Sequence, residues 1–316
     1  MIAACAPLRD LFIPSAPRVP GEWAALIEEL RTYERRIGFE TTANFLQLSE
    51  ERSGYAYCGY APRLILPYSY EDPAIRWRHG VSEEDCRTLG DGNAFFGVAE
   101  ALGEVGTPVT PSMITSKLDR FVYVVIHEDC HDQFELPYGI EEALCNLITY
   151  NAMEAFAEER FGASAREERA IRRYADAQSR QTRVTITVYG QLSVLHARYE
   201  RKELTAEAFL WERSRILTLA QRSLSWKSGI PNSVGIANHM TYSRHYPFLE
   251  NVFDALERDL ARTVAFFRRV DAMKPSRAAV MKQYAIAKEE SVEFIRAYEA
   301  AVVKTIEEAL AERQLR

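Results

Sequence analysis

The chain has 316 residues, of which 47% are apolar and 27% charged, and a net charge of −6. Such a length can bury a substantial core, as one large domain or two modest ones, and the composition is that of an ordinary globular protein. The acidic balance, with basic residues interspersed among glutamates as in Arg166-Glu167-Glu168-Arg169, argues against a nucleic-acid surface, and no apolar run is long enough to span a bilayer.

In chain order, residues 6–21 are rich in proline without apolar periodicity and read as an irregular leader. Trp23, Leu26, Ile27 and Leu30 carry helical spacing over 22–36. Over 43–69 the pattern changes to short aromatic and branched runs (45–48, 55–58, 64–66) punctuated by Gly54, Gly59 and Pro62. This is the one convincing strand region and predicts a small antiparallel sheet. Residues 71–108 are mixed, with turn signals at Gly90-Asp91-Gly92-Asn93 and Gly106-Thr107-Pro108.

Thr110 before Pro111 is an N-cap and first-turn pair, which predicts a helix running to about Asp132. After a loop containing Leu136-Pro137-Tyr138-Gly139, a second helix is expected from Glu141 to about Phe161, ended by Gly162. Longer helices follow near 164–200, 205–224, 247–270 and 276–313. The third of these carries a seam (Leu249, Phe253, Leu256, Leu260, Val264, Phe267) that reads as bundle core. The expected fold is α+β and predominantly helical. Its lobes are an N-terminal one with the small sheet over 1–110 and a helical one over 111–316, with a functional helix pair at 111–161 and a C-terminal bundle.

The five cysteines (Cys5, Cys58, Cys86, Cys130, Cys145) are odd in number and lack C-x-x-C spacing, so free thiols in a reducing compartment are expected and a disulfide framework is not. Ile2-Ala3-Ala4-Cys5 is similar to the end of a bacterial lipoprotein signal, but no basic or apolar region precedes it. The expected location is cytoplasmic, with lipid anchoring through Cys5 as the alternative if an upstream leader exists.

Chemistry concentrates in His127-Glu128-Asp129-Cys130-His131, which directly follows the apolar run 121–126. Two histidines four apart lie on one helix face, about 6 Å apart along the axis, so both imidazoles can reach one zinc ion. Glu128 between them can act as general base on a metal-activated water. The bland alternative is a pair of core histidines held by hydrogen bonds. The spacing and the intervening glutamate favour zinc.

A catalytic zinc needs a third protein ligand and an open position. The metzincin continuation is absent, because Phe134 stands where its glycine should be and Pro137 where its third histidine should be. A second helix folding back after a tight loop brings Glu141 and Glu142 near His131. They lie about 100° apart on that helix, so only one can face the metal. Glu142 is favoured, with Asn146 one turn on as acceptor for a ligand imidazole and Glu141 at home in the first turn. Asp132 and Glu135 are weaker candidates, and Glu141-Glu142 could simply be an acidic first turn.

The combination of His127-Glu128-x-x-His131, a short loop and Glu141-Glu142-Ala143-Leu144-Cys145 resembles the gluzincin peptidases. It is most similar to their bacterial predicted-aminopeptidase branch, with its H-E-L-A-H-Q and N-E-S-F-A strings. Looser similarities lie at Arg36-Ile37-Gly38-Phe39, at 181–202, at 238–242 and at Tyr246-Pro247-Phe248. Glu141 departs from the family's asparagine, Asp129 from its apolar residue, and the loop is shorter. The resemblance implies a zinc metallohydrolase cleaving peptide or small amide bonds, aminopeptidase-like, and a tyrosine or histidine that stabilises the oxyanion. Tyr242 is the first candidate for that role and His239 the second. The alternative for Tyr242 and Tyr246 is plain packing. His79 and His196 read as structural or surface residues. A non-peptide substrate, or a non-catalytic helical binding protein, are the competing functions.

Overall fold

The computed structural model describes residues 18–49, 54–101, 106–224 and 231–314. Cys5 and most of the proline-rich leader lie outside them.

Helix α1 (Gly21–Arg36) buries Leu26, Ile27 and Leu30, the face that periodicity assigned to it. The sheet is antiparallel, with strands β1 (Tyr55–Tyr60), β2 (Arg76–His79) and β3 (Ala94–Ala99) in the order β2-β1-β3. Only its central strand comes from the region that looked strand-like. Leu48 forms a single bridge to Val109, Leu64-Ile65-Leu66 is in no strand, and both outer strands come from the stretch read as mixed. Pairing partners supplied by β1 override the weak local signal of β2 and β3. Gly97 lies opposite Tyr57, and a Cβ there would strike the Tyr57 ring. The missing side chain lets Tyr57 lie across β3. Between β2 and β3 come α2 (Glu83–Arg87) and a tight turn.

Thr110 caps α3 (Pro111–Thr115) by accepting from the Met113 amide, but this helix does not continue into the motif. Ser116 turns extended and its hydroxyl donates to the Met113 carbonyl, so the chain restarts at Leu118 as α4 (Leu118–His131). The second helix, α5 (Tyr138–Phe161), begins three residues earlier than expected, since Pro137 opens it, and ends at Gly162 with φ +84°. It is buried nearly all round, packing against α4, α6 (Arg166–Glu200), α8 (Ser233–Ser243), α9 (Tyr246–Ala255) and α10 (Leu260–Met273). Helix α7 (Ala206–Ser223) pairs with α6.

The segment expected as one helix over 247–270 breaks into α9 and α10, because Glu257 and Arg258 adopt left-handed φ of 62° and 55° and Asp259 caps a new start. The last one likewise divides into α11 (Arg277–Tyr284), stopped by left-handed Ala285, and α12 (Val292–Gln314). The seam itself remains buried across the first break, with Leu249, Phe253, Leu256, Val264 and Phe267 at 2% exposure or less. The fold is therefore α+β and predominantly helical, with a small antiparallel sheet. Among the described residues no helix is long and apolar enough to cross a membrane.

Two disulfides overturn the expectation of free thiols. Cys58 on β1 joins Cys86 on α2, and Cys130 on α4 joins Cys145 on α5, with Cα separations of 5.7 and 5.6 Å. The partners are 28 and 15 residues apart in sequence, so only folding brings them within bonding reach. The inference of a reducing compartment rested on free thiols and loses that premise.

Candidate metal centre

Helix α4 is buried along Phe121–Ile126, and each of these large side chains contributes about 2 kcal/mol on burial. That apolar gain offsets the cost of carrying ionisable groups inside. Antiparallel α5 then brings its first turn against the end of α4. The Nε2 atoms of His127 and His131 lie 3.3 Å apart, and Glu142 Oε2 lies 3.2 Å from the first and 3.4 Å from the second. These separations match one face of a tetrahedral site. Ligands about 2.0–2.1 Å from a zinc ion stand roughly 3.3–3.4 Å from one another, with a fourth corner open. The three donor atoms are the one metal-capable His/Cys/Asp/Glu group found among the described residues.

Electrostatics point the same way. Burial opposes charge on Glu142, yet His131 and His127 hold its carboxyl well below the usual carboxylate range. Burial also opposes charge on His131, but Glu142, Glu141 and Glu128 outweigh it and hold the imidazole's pKa well above the ordinary value. Burial lowers that of His127. A buried cluster whose carboxylates draw a proton onto an imidazole lacks positive charge, and a divalent cation supplies it.

Glu141 is not among the three converging donors. Its Oε1 lies 2.9 Å from His131 Nδ1, and its Oε2 accepts the Leu136 amide at 2.7 Å. It therefore holds the His131 imidazole, a task like the one sequence spacing gave to Asn146. Asn146 instead accepts from the Tyr123 hydroxyl at 2.7 Å, because Tyr123 stacks on the His127 ring and reaches it first. His127 Nδ1 is buried without a hydrogen-bond partner.

Asp129 and Asp132 turn away from the cluster. Asn44 donates to both, at 3.0 and 3.1 Å, while its own carbonyl accepts the Gly106 and Thr107 amides at 3.0 Å. Glu34 lies against Asp129, and burial and the Asp129 charge hold the Glu34 carboxyl well above the carboxylate range. The charged residue that departs from the gluzincin pattern is thus a tether for the back of α4. Glu135 sits in the loop, where its amide bonds Asp271.

Glu128 borders two cavities that meet at the metal centre, of about 810 and 270 Å³. Burial raises its carboxyl to about 7. Tyr242 also borders both, and burial holds its phenol protonated and able to donate. His239 borders only the smaller cavity, edge-on to Phe95, and burial lowers its imidazole to about 4, which keeps it neutral. Tyr246 packs near Tyr150 and Ser179 and borders neither cavity. His79 lies at the rim of the larger cavity, whereas His196 is buried against Phe209.

Sequence reasoning missed Tyr138, which hydrogen-bonds Glu142 and Tyr242. Its position four residues before Glu142, on the same helix face, was the available signal. It also missed Tyr57 and Tyr70, which border the larger cavity from the sheet and the following loop and carry no local motif. Comparison with protein-family models, with curated proteins and with solved structures gives no match, so the resemblance to the gluzincins rests on the motif residues alone.

Proposed function

We propose that this protein is a zinc-dependent hydrolase of peptide or small amide bonds. The observation that carries the reading is the triangle of His127 Nε2, His131 Nε2 and Glu142 Oε2, with Glu128 beside it where two cavities meet. Zinc, when bound, supplies Lewis acidity and makes water a nucleophile near neutral pH. Glu128, buried beside the triangle, takes the proton from the attacking water and returns it to the leaving amine. The Tyr242 hydroxyl donates to the developing oxyanion. Among the described residues the larger cavity is bordered by several tyrosines and by no lysine or arginine, a lining that suits the free amine of an aminopeptidase substrate.

Metal analysis of the purified protein with two variants tests this reading. Near-stoichiometric zinc is expected in the wild type. Glu128→Gln should keep the metal and lose hydrolysis of aminoacyl amides by at least a hundredfold, while Glu142→Ala should lose both. A folded wild type that takes up no zinc overturns the reading.

A further inference from the structure

The smaller cavity ends on a cation that the reaction above does not use. Arg120 is the one lysine or arginine bordering either cavity among the described residues. It lies seven residues before His127 on α4, on the same face and about 10 Å along the axis. Its Nε donates to Glu100 Oε2 at 2.8 Å, Nη2 donates to the same oxygen, and Nη1 donates to the Tyr174 hydroxyl at 3.0 Å. A guanidinium has five N–H donors, so two remain. The side chain is 35% exposed, and Tyr123 supports its face. Glu100 and Tyr174 thus fix the fork without exhausting it, as a carboxylate-binding arginine requires.

The rest of this recess is mixed, with Phe95, Val98 and Val124 beside polar side chains. Gln178 and Gln181 border it from α6 together with Thr185, whose fully buried hydroxyl has no hydrogen-bond partner. At 270 Å³ it falls just below the size of small-molecule sites, roughly 300–1,000 Å³, and it suits one small group.

We propose that Arg120 binds the free carboxylate of the leaving residue, so that the substrates are short peptides or N-acyl amino acids in which the cleaved amide adjoins the terminal residue. This rests on the amide-hydrolase reading for its place in a reaction, but not for its binding chemistry. A dipeptide satisfies both ends, with its amine in the larger cavity and its carboxylate on Arg120.

Calorimetric titration of the full chain, stripped of metal by chelator, with N-acetylglycine and N-acetylglycinamide tests the binding without a metal to capture the carboxylate. The wild type should bind the acid at least tenfold more tightly than the amide. That preference should vanish in Arg120→Met/Glu100→Gln, which removes both charges together, and shrink in Arg120→Lys, which keeps the charge without the fork. Equal binding of acid and amide by the wild type overturns the proposal, as does a preference that survives in the folded double variant. Failure of zinc uptake sinks the hydrolase reading and leaves this result standing.

Discussion

His131 Nδ1 and Glu141 Oε1 stand 2.9 Å apart, so the carboxylate next to Glu142 in sequence orients the His131 imidazole in space. Neighbouring glutamates on one helical turn divide the work, Glu142 facing the donor triangle and Glu141 holding the imidazole from behind. Glu141→Gln keeps an acceptor but removes the charge that makes the imidazole a stronger ligand. Zinc affinity should fall 10–100-fold with the fold intact, against loss of the site in Glu142→Ala. Competition with a chromophoric chelator measures this, and unchanged affinity would show that the contact is incidental.

The Cys130–Cys145 bridge joins the two helices that carry all three donors, one residue before His131 and three after Glu142. Closing a 15-residue loop stabilises the fold by about 3 kcal/mol through the unfolded state. Cys130→Ala/Cys145→Ala should lower the denaturation free energy by that order and weaken zinc binding, because α4 and α5 gain freedom to separate. Denaturant titration with and without reductant should show wild type converging on the variant. If reductant leaves the wild type unaffected, the bridge contributes nothing to stability.

Asn44 joins the 106–107 backbone to the back of α4. Asn44→Ala strips the Gly106 and Thr107 amides and Asp129 of a partner at once. Leaving buried groups unsatisfied costs about 1–3 kcal/mol each, so a loss of roughly 3 kcal/mol is expected in urea melts. A loss below 1 kcal/mol would mean that water replaces the side chain.

His196 offers a pH test away from the metal. Burial and Arg213 lower its imidazole from 6.5 to about 4. The folded state therefore binds fewer protons than the unfolded one between those values, and this stability is present above pH 6.5 and lost as pH falls through 4. The full loss amounts to about 3 kcal/mol. His196→Phe should flatten the stability profile over pH 4–6.5 relative to wild type. Parallel profiles would refute a neutral buried histidine.

What the sequence alone determined was periodic or local. The helical character, the face of α1, the seam from Leu249 to Phe267, the Thr110 cap and the His127-Glu128-x-x-His131 face all follow from repeats of three and four residues or from single-residue chemistry. That Glu141 and Glu142 cannot face the same point also followed from helix geometry, since consecutive residues on an α-helix point about 100° apart. Tertiary structure decided everything that depends on distant partners. β2 and β3 exist because β1 pairs with both; the cysteines bond because α4 meets α5 and β1 meets α2. Asn146 loses its expected role because Tyr123 reaches it first, and Glu141 gains that role because the loop turns it towards His131. Arg120 carries no motif, and only the packing of α4 against α6 and the strand end places it beside a cavity. Local spacing fixes which face a residue occupies, while the partner across that face is set by the packing of the whole chain.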